Sequence, residues 1–421
     1  MEKQKNAAKN QEVISRCTAL LLCLTAVLTS CSFIKEEKYD LVRSDPVPLE
    51  LNAETVLSPV FEGSISAESY CLIDADTKEI LASRNEHKKL PIASTTKIMT
   101  AIVVSEHICL DKIIAVDKRA VGVEGSSVYL YENEKMTVRD LLYALLLESA
   151  NDAAEALAYG VCGSVEKFAA LMNEKAKTLG MENSHFTNPH GLYNEDHYST
   201  AYDMAILTSF AMTSPTVSEI MGTQNYRATL NADKSEYRFF SNHNKLLKMY
   251  GNCVGGKTGF TKASGRCLAT ASRHEGKLLA AMTINAPDDW SDHITLYEYA
   301  YSLYKKTVLM ESREFSAEIP VSGGVLPSTY VTNLSSVEIP VKDTDKISYT
   351  AELPRFLYAP VYGLDDLPEE AYSTYASQYI GRLIFNVNDT EICSIPLYIT
   401  QSIDAKEKES FFDKLFSKKS N

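Results

Sequence analysis

The sequence predicts an α+β protein in which an antiparallel sheet with helices is followed by a small all-β, sandwich-like domain. In residues 63–311 a hairpin pattern comes first, then several helical patterns, then two strand-like runs and a last helix, an order typical of α+β domains. In residues 312–405 short β-prone stretches alternate with turn residues. The composition, with 45% hydrophobic and 23% charged residues in 421, is that of a globular protein.

The N-terminal residues predict an export signal rather than part of the fold. Residues 1–16 are basic and precede an apolar run from Cys17 to Thr29 that is too short to span a bilayer. Residues 28–31 read L-T-S-C, which resembles the lipobox that marks a cysteine for lipid attachment. We therefore expect a lipoprotein signal peptide in residues 1–30, a lipidated Cys31 that anchors the protein to the membrane, and a tether in residues 31–62. An ordinary signal peptide or an uncleaved anchor is the alternative.

The α+β domain begins with a predicted hairpin, in which runs at Ser69–Ile73 and Glu79–Ser83 flank the turn at 74–77. A helix from Thr95 to Glu106 is apolar on most sides, which indicates burial at the centre of the domain. Strand-like runs at Arg266–Ser272 and Leu278–Ile284 are separated by a Glu-Gly turn. Further helices are predicted from their apolar periodicity at Val138–Leu147, Asp152–Tyr159, Ser164–Leu179, Ala201–Met212 and Asp292–Val308.

The second domain is predicted from β-prone stretches alone. Residues 406–421 are charged and hold one short amphipathic stretch with three phenylalanines, which we interpret as a frayed terminus or a weak aid to membrane attachment. The strands are predicted at Ser316–Val321, Ser336–Val341, Ile347–Glu352, Gly381–Val387 and Ile392–Ile399.

Charge and cysteine usage exclude some kinds of partner. The net charge of −13 argues against nucleic acid as a partner, because phosphate binding needs a basic face. The sequence has no C-x-x-C or ordered His/Cys cluster, so we expect no metal and no cofactor. His185, His190, His197 and Asp203 could be mistaken for metal ligands, but they lack the spacing of a ligand pair and we interpret them as structural. For the six cysteines after Cys31 we expect buried free thiols and leave pairing open.

The residues that indicate chemistry begin with Ser94-x-x-Lys97. On a helix, positions i and i+3 share a face, so the Ser94 hydroxyl can reach the Lys97 amine. A neutral lysine could take the proton of the hydroxyl if burial or a second cation lowers its pKa. The spacing also occurs at Ser32, Ser164 and Ser302, but only Ser94 begins an apolar helix.

Two further motifs follow in order along the chain. Ser149-Ala150-Asn151 interrupts a leucine-rich helix, and Lys257-Thr258-Gly259 follows a strand-like approach. S-x-x-K, S-x-N and K-T-G in this order are the set of the penicillin-recognising serine acyltransferases. Each motif alone could be structural, Ser149–Asn151 a helix cap and Lys257–Gly259 a hairpin edge. The three together point to an acyl-transfer site.

On these residues the chain resembles the low-molecular-mass penicillin-binding proteins, specifically the serine-type D-alanyl-D-alanine carboxypeptidases. The resemblance covers roughly residues 65–310, and more loosely the β-rich domain after 312. It implies a penicillin-binding, β-lactamase-like transpeptidase domain that acts on peptidoglycan stem peptides outside the cytoplasm and is inhibited by β-lactams. Further similar stretches are Gly125–Ser127, His190–Leu192, His197–Met204 and Asn244–Leu247.

The resemblance also implies a role for each site residue. Ser94 would be the nucleophile, Lys97 the general base and Ser149 a proton relay. The remaining residues would bind the substrate: Asn151 a peptide carbonyl, Lys257 and Thr258 the terminal carboxylate, and the backbone of Phe260 with that of Ser94 the oxyanion. Two departures from many relatives are Ala150, where glycine is common, and Phe260, where some have histidine.

Two alternatives remain open at this stage. A class A β-lactamase shares two of the motifs but needs a further carboxylate. Glu166, Glu174 and Glu182 follow Asn151, but none lies in an E-x-x-L-N setting. The other alternative is a surface scaffold that binds penicillin but has lost turnover.

Overall fold

The computed structural model describes residues 40–49, 61, 63–229, 237–364 and 379–407. Contacts divide the chain into two compact units. The α+β unit comprises the described residues of Asn52–Thr307 and Ile339–Asp345, and the β unit comprises those of Met1–Leu51, Val308–Glu338 and Lys346–Asn421. Cys31 and residues 408–421 lie outside the described residues. No helix in the described ranges is long and apolar enough to span a membrane.

The strands are numbered in chain order, and several that the sequence did not indicate appear among them. They are β1 (Leu41–Arg43), β2 (Val47–Leu49), β3 (Ser69–Asp74), β4 (Ile80–Arg84), β5 (Ile113–Ala115), β6 (Lys135–Thr137), β7 (Asn225–Thr229), β8 (Tyr237–Ser241), β9 (Cys253–Thr261), β10 (Gly265–His274), β11 (Lys277–Ile284), β12 (Tyr304–Met310), β13 (Ala317–Ser322), β14 (Ser328–Asn333), β15 (Val337–Lys342), β16 (Ile347–Pro354), β17 (Leu357–Tyr358), β18 (Gly381–Val387) and β19 (Thr390–Ile399).

The α-helices that the structure describes all lie in the α+β unit. They are α1 (Lys97–His107), α2 (Val138–Leu147), α3 (Asn151–Cys162), α4 (Val165–Thr178), α5 (Ala201–Ala211), α6 (Pro215–Gly222), α7 (Leu246–Met249) and α8 (Asp289–Tyr301).

The central sheet of the α+β unit is antiparallel and has the order β4-β3-β11-β10-β9. Strand β11 is buried along its whole length, because the sheet is covered on both faces. Strand β9 is at the edge of this sheet, where it pairs with β10 so that Lys257 lies opposite Ala269 and Thr258 opposite Leu268. One side of β9 is therefore open for an extended peptide to add as a further strand.

Helix α1 lies at the centre of the main core, as its apolar faces predict. Its first eight residues, Lys97 to Val104, are all buried. Leucines of α2 and alanines of α3 belong to the same core cluster. The burial of α1 removes Lys97 from water at the point where the helix begins.

The β unit is built on one continuous hydrogen-bonded path of strands, β1-β16-β18-β19-β14-β13-β17, with β2 also paired to β16. Among the residues of this unit that the structure describes, the regular elements are all strands, as predicted. The path starts within residues 31–62, which we expected to be a tether. Both strands in this segment pair with β16: β1 pairs with Glu352–Pro354, and β2 pairs with Ile347–Tyr349. Three-residue strands are too short to show alternation in sequence.

The last helix of the α+β unit differs from its prediction. We expected a helix at Asp292–Val308, but α8 ends at Tyr301 and residues 304–310 form β12. The predicted helix was wrong at its C-terminal end. Over so few residues, the apolar positions of Thr307–Met310 fit the helical period of 3.6 and the strand period of two equally well.

All six described cysteines are free thiols. Cys71, Cys253 and Cys267 are buried, as expected, whereas Cys109 is exposed and Cys162 and Cys393 are partly exposed.

Candidate active site

Ser94 lies in a turn of 3₁₀-helix, Ala93–Thr96, directly before α1. The preceding Ala93 has a φ of 48°, a left-handed conformation that alanine rarely adopts. Strand β9 approaches this turn so closely that a Cβ at Gly259 would lie 3.1 Å from the backbone nitrogen of Ser94. The K-T-G glycine therefore lets the edge strand contact the serine turn, and Ser94 itself stays partly accessible.

The Lys97 amine has three polar neighbours and is fully buried. Its Nζ is 2.9 Å from Ser94 Oγ, 2.7 Å from Asn151 Oδ1 and 2.7 Å from the carbonyl oxygen of His190. Burial holds the pKa of Lys97 well below its usual range, and the nearby Lys257 lowers this pKa further, against the raising effect of Asp152. The amine is therefore poised to be neutral.

A neutral amine has two N–H bonds and one lone pair. Asn151 Oδ1 and the His190 carbonyl can only accept, so they take the two N–H bonds of Lys97. The amide of Asn151 is oriented by its own Nδ2, which donates to the carbonyl of Glu124 at 2.6 Å. The lone pair of Lys97 is then left for the Ser94 hydroxyl, which is the arrangement a general base needs.

The S-x-N motif forms the turn between α2 and α3. Ser149 is buried and has a φ of 60°, while Asn151 begins α3. The backbone N–H of Asn151 donates to the carbonyl of Ser126 at 2.7 Å. The preceding Glu148 holds the turn to the end of β8, since its Oε1 accepts from the backbone N–H of Ser241 at 2.6 Å.

Lys257, Thr258 and Phe260 lie on the edge strand β9. Lys257 is buried, and burial lowers its pKa to about 7. Its Nζ donates to the carbonyl oxygen of Thr258 at 2.9 Å. Thr258 is partly exposed, and the Phe260 side chain is 67% exposed. The structure thus brings Lys97 into contact with both Ser94 and Asn151, and it places the K-T-G strand beside Ser94.

Two groups of the site gave no usable signal in sequence. The first is the His190 carbonyl, which accepts from Lys97. Every residue has a backbone carbonyl, so the sequence cannot indicate which one binds the lysine. Asp152 is fully buried beside Asn151, and its carboxylate accepts from Ser127 Oγ at 2.6 Å and from the backbone N–H of Leu130 at 2.9 Å. The sequence shows an aspartate directly after the S-x-N motif, but nothing in it indicates that this aspartate is buried.

The histidines that could be mistaken for metal ligands make structural contacts. His197 Nδ1 accepts from the backbone N–H of Thr187, so its Nε2–H donates to Thr96 Oγ1 at 2.8 Å. His190 Nε2 faces Glu155 at 3.4 Å, and His185 bonds the carbonyl of Asp196. Asp203 accepts from Ser184 Oγ and the backbone of Asn183. In the described ranges no group of ligating side chains could hold a metal ion.

The three glutamates considered as the further carboxylate of a β-lactamase have no recorded contact with Ser94 or Lys97. Glu166, Glu174 and Glu182 are exposed, the first in the opening turn of α4. The other S-x-x-K occurrences that are described are also accounted for, since Ser164 caps α4 through the backbone N–H of Lys167 and Ser302 ends α8.

Comparison with known proteins gives one family. A family model described as D-alanyl-D-alanine carboxypeptidase, peptidase S11, matches residues 53–288. The D-alanyl-D-alanine carboxypeptidase DacF of Bacillus subtilis is 33% identical over 307 residues, 70% of this chain and 78% of that protein. DacC of Escherichia coli, described likewise, is 29% identical over 381 residues, 86% of this chain and 89% of that protein.

The same likeness appears among solved structures. Penicillin-binding protein 5 from Haemophilus influenzae matches with a TM-score of 0.57 and 25% identity, covering 82% of this chain and 100% of that one. The matched residues 53–288 contain all three motifs. The chain belongs to the D-alanyl-D-alanine carboxypeptidase family of serine peptidases.

Proposed function

We propose that the site removes the terminal D-Ala of stem pentapeptides through an ester on Ser94. The observation that supports this most directly is the contact set of Lys97, in which Asn151 Oδ1 and the His190 carbonyl can take two N–H bonds of the buried amine. Because burial lowers the pKa of Lys97, the neutral form is favoured, and its lone pair would face Ser94 Oγ, which is 2.9 Å away. The substrate would lie along the open edge of β9, with its terminal carboxylate near Lys257 and Thr258. Asn151 Nδ2 would bind the carbonyl on the acyl side.

The first half of the reaction forms the acyl-enzyme. Ser94 Oγ attacks the carbonyl carbon between the two D-Ala residues while its proton passes to Lys97 Nζ. The backbone N–H groups of Ser94 and Phe260 stabilise the oxyanion. The proton then reaches the nitrogen of the leaving D-Ala through the hydroxyl of Ser149, and the C–N bond breaks.

The second half releases the shortened stem. Water attacks the ester carbonyl, and Lys97 takes one proton of this water. The ester bond breaks, and Ser94 recovers its proton. Deacylation follows the same route as acylation in reverse, so this chemistry calls for no second base of the kind that a class A β-lactamase uses.

A labelling experiment tests the site and its alternatives together. We expect a fluorescent penicillin to acylate the protein, peptide mapping to place the adduct on Ser94, and Lys97→Met to slow the labelling by at least roughly 100-fold, the lower range for a removed general base. Rapid hydrolysis of the penicillin would instead favour a β-lactamase. A stable adduct without D-Ala release from stem peptides would favour the scaffold.

We also propose that Cys31 carries the lipid that holds the protein at the outer face of the membrane. The support is the L-T-S-C sequence after a short apolar run. Cells that express the protein should incorporate labelled palmitate into it, and Cys31→Ala should abolish the label and release the protein from the membrane fraction. Equal labelling of the two forms would contradict the proposal.

A further inference from the structure

Asp152 is a buried carboxylate that the reaction described above does not use. It follows Asn151 in the first turn of α3 and is fully buried. A carboxylate is costly to bury unless hydrogen-bond donors surround it, so its contacts indicate what it is there for. Most of its donors come from one loop, residues 124–130, which lies outside the helices and strands.

Both oxygens of the Asp152 carboxylate are occupied. Oδ2 accepts from Ser127 Oγ at 2.6 Å and from the backbone N–H of Leu130 at 2.9 Å. Oδ1 accepts from the backbone N–H of Val128 at 3.2 Å and from that of Ala153 at 2.9 Å. Three of these four donors belong to the loop, so the carboxylate ties the loop to the start of α3.

The same loop fixes the side chain of Asn151. The carbonyl of Glu124 accepts from Asn151 Nδ2 at 2.6 Å, and the carbonyl of Ser126 accepts from the Asn151 backbone N–H at 2.7 Å. Between them, a Cβ at Gly125 would lie only 2.7 Å from Asn151 Nδ2. Because a carbonyl can only accept, Nδ2 must face the loop and Oδ1 must face Lys97.

The loop has a second support on its other side. Arg238 of β8 donates to the carbonyls of Val128 and Tyr129, and it is itself held by a bidentate ion pair with Glu134. This support does not depend on Asp152. Loss of the Asp152 contacts should therefore displace the part of the loop that holds the S-x-N amide, while the far side of the loop stays in place.

We propose that Asp152 is a positioning residue for acylation, which acts through the 124–130 loop to hold the Asn151 amide in the orientation that Lys97 and the substrate need. It acts through Asn151 rather than on the reacting atoms. The proposal rests on the proposed function, because acylation of Ser94 is the step that it serves.

Asp152→Asn tests the positioning with almost no change of shape. Whichever oxygen becomes an NH₂ group, it meets a backbone N–H that needs an acceptor, that of Leu130 at one position or those of Val128 and Ala153 at the other. The loop must therefore shift. We expect acylation of the full-length protein in detergent by a fluorescent penicillin to slow roughly 10- to 100-fold, as for a displacement of about 1 Å at a reacting group.

The pH profile of acylation distinguishes positioning from general damage. Burial and Lys257 lower the pKa of Lys97, whereas Asp152 raises it. His190 and His197 also lie within range of Lys97, but burial lowers the pKa of both, so they add no positive charge at neutral pH. Asp152→Asn should thus move the acid limb to lower pH. A site loosened enough to admit water would move this limb to higher pH instead.

Two further variants control for stability and for folding. Asp140→Asn is the matched control, because Asp140 is also buried in the first turn of a helix, α2, and accepts from Tyr226 OH at 2.8 Å. It should lower the free energy of unfolding and leave both the acylation rate and its pH profile unchanged. Ser127→Ala removes one loop contact but keeps the carboxylate, so acylation should slow about two- to tenfold with the acid limb unmoved.

The role of Asp152 and the peptidase can fail separately. Acylation at the parental rate in a folded Asp152→Asn, an acid limb that stays or moves to higher pH, or an equal slowing in Asp140→Asn would overturn the positioning role. If Asp152→Asn does not fold, acylation of Ser127→Ala at the parental rate overturns it. A parent that penicillin acylates but that releases no D-Ala contradicts the proposed function, while the acylation rates still decide the role of Asp152.

Discussion

At the scale of single residues, the site depends on which group is charged. Two lysines, Lys97 and Lys257, are buried near each other, and burial lowers the pKa of both. Lys97 acts as a base only when it is neutral. The rate of acylation should therefore fall as the pH drops through the lowered pKa of Lys97. It should fall again at high pH, as Lys257, whose pKa burial lowers to about 7, loses the charge that would hold the substrate carboxylate.

Removing the charge of Lys257 tests this coupling. Lys257→Gln should raise the pKa of Lys97, because the positive charge that lowers it is gone. The acid limb of the pH profile for penicillin acylation should therefore move to higher pH, in addition to any loss of rate. Stopped-flow acylation across the pH range measures both. An unmoved acid limb would show that Lys257 does not control the base.

The residue types of the site could be predicted from sequence, whereas some of the hydrogen bonds between them could not. Ser94 and Lys97 are one helical turn apart, and the structure places Nζ 2.9 Å from Oγ. Asn151 was expected to bind substrate, and the structure adds that its Oδ1 also binds Lys97. The His190 carbonyl came from a loop distant in sequence, and only the fold brings it under Lys97.

At the scale of elements, the serine turn is fixed by a loop that crosses it at Gly191. This glycine has a φ of 86°, and a Cβ there would lie 1.9 Å from the carbonyl oxygen of Ala93. The fold thus has no room for a side chain between the His190-Gly191 loop and the turn that carries Ser94.

Gly191→Ala should displace this turn. We expect a loss of at least roughly tenfold in acylation and a fall of about 3 kcal/mol or more in the free energy of unfolding. Gly180→Ala is the matched control, because Gly180 has a φ of 72° with nothing within 4 Å of its Cβ position, and should cost only about 1 kcal/mol. Similar losses in the two variants, by urea unfolding and penicillin labelling, would contradict the packing argument.

Long periodic elements could be predicted, and short ones could not. The predicted helix Val138–Leu147 coincides with α2, because its apolar spacing extends over nearly three turns. Strand β14 and the ribbon β7–β8 were missed. Each strand of the ribbon has only one buried residue, and in β14 three adjacent residues are buried, so neither shows a clear period of two.

At the scale of the whole molecule, buried histidines link folding to pH. Burial lowers the pKa of His197 and of His293 to about 3, below the usual 6.5. Between these pH values the unfolded chain takes up protons that the folded chain does not. The free energy of unfolding therefore falls as the pH drops from 6.5 towards 3, by at most about 1.4 kcal/mol per pH unit for each histidine.

His197→Gln isolates one of these groups. The variant loses the contact with Thr96 and should be less stable at pH 7, but its stability should fall less steeply between pH 7 and pH 5 than that of the parent. Urea unfolding of both proteins at the two pH values measures the difference, in which all other titrating groups cancel. If the free energy of unfolding fell equally between pH 7 and pH 5 in parent and variant, His197 would not be held neutral in the folded protein.

The order of the domains followed from composition, since helical periodicity gives way to short β-prone runs near residue 312. The contribution of residues 41–49 to the β unit did not, because β1 and β2 are defined by their partner β16 rather than by their own pattern.

The central claim is that Ser94 is the nucleophile of a D-Ala-releasing peptidase. The most direct test is D-Ala release from acetyl-L-Lys-D-Ala-D-Ala by the full-length protein in detergent, beside Ser94→Ala. We expect release by the parent and a fall of roughly 10⁴-fold or more in the variant, with the fold unchanged by circular dichroism. Release by both proteins at similar rates, or by neither, would contradict the account.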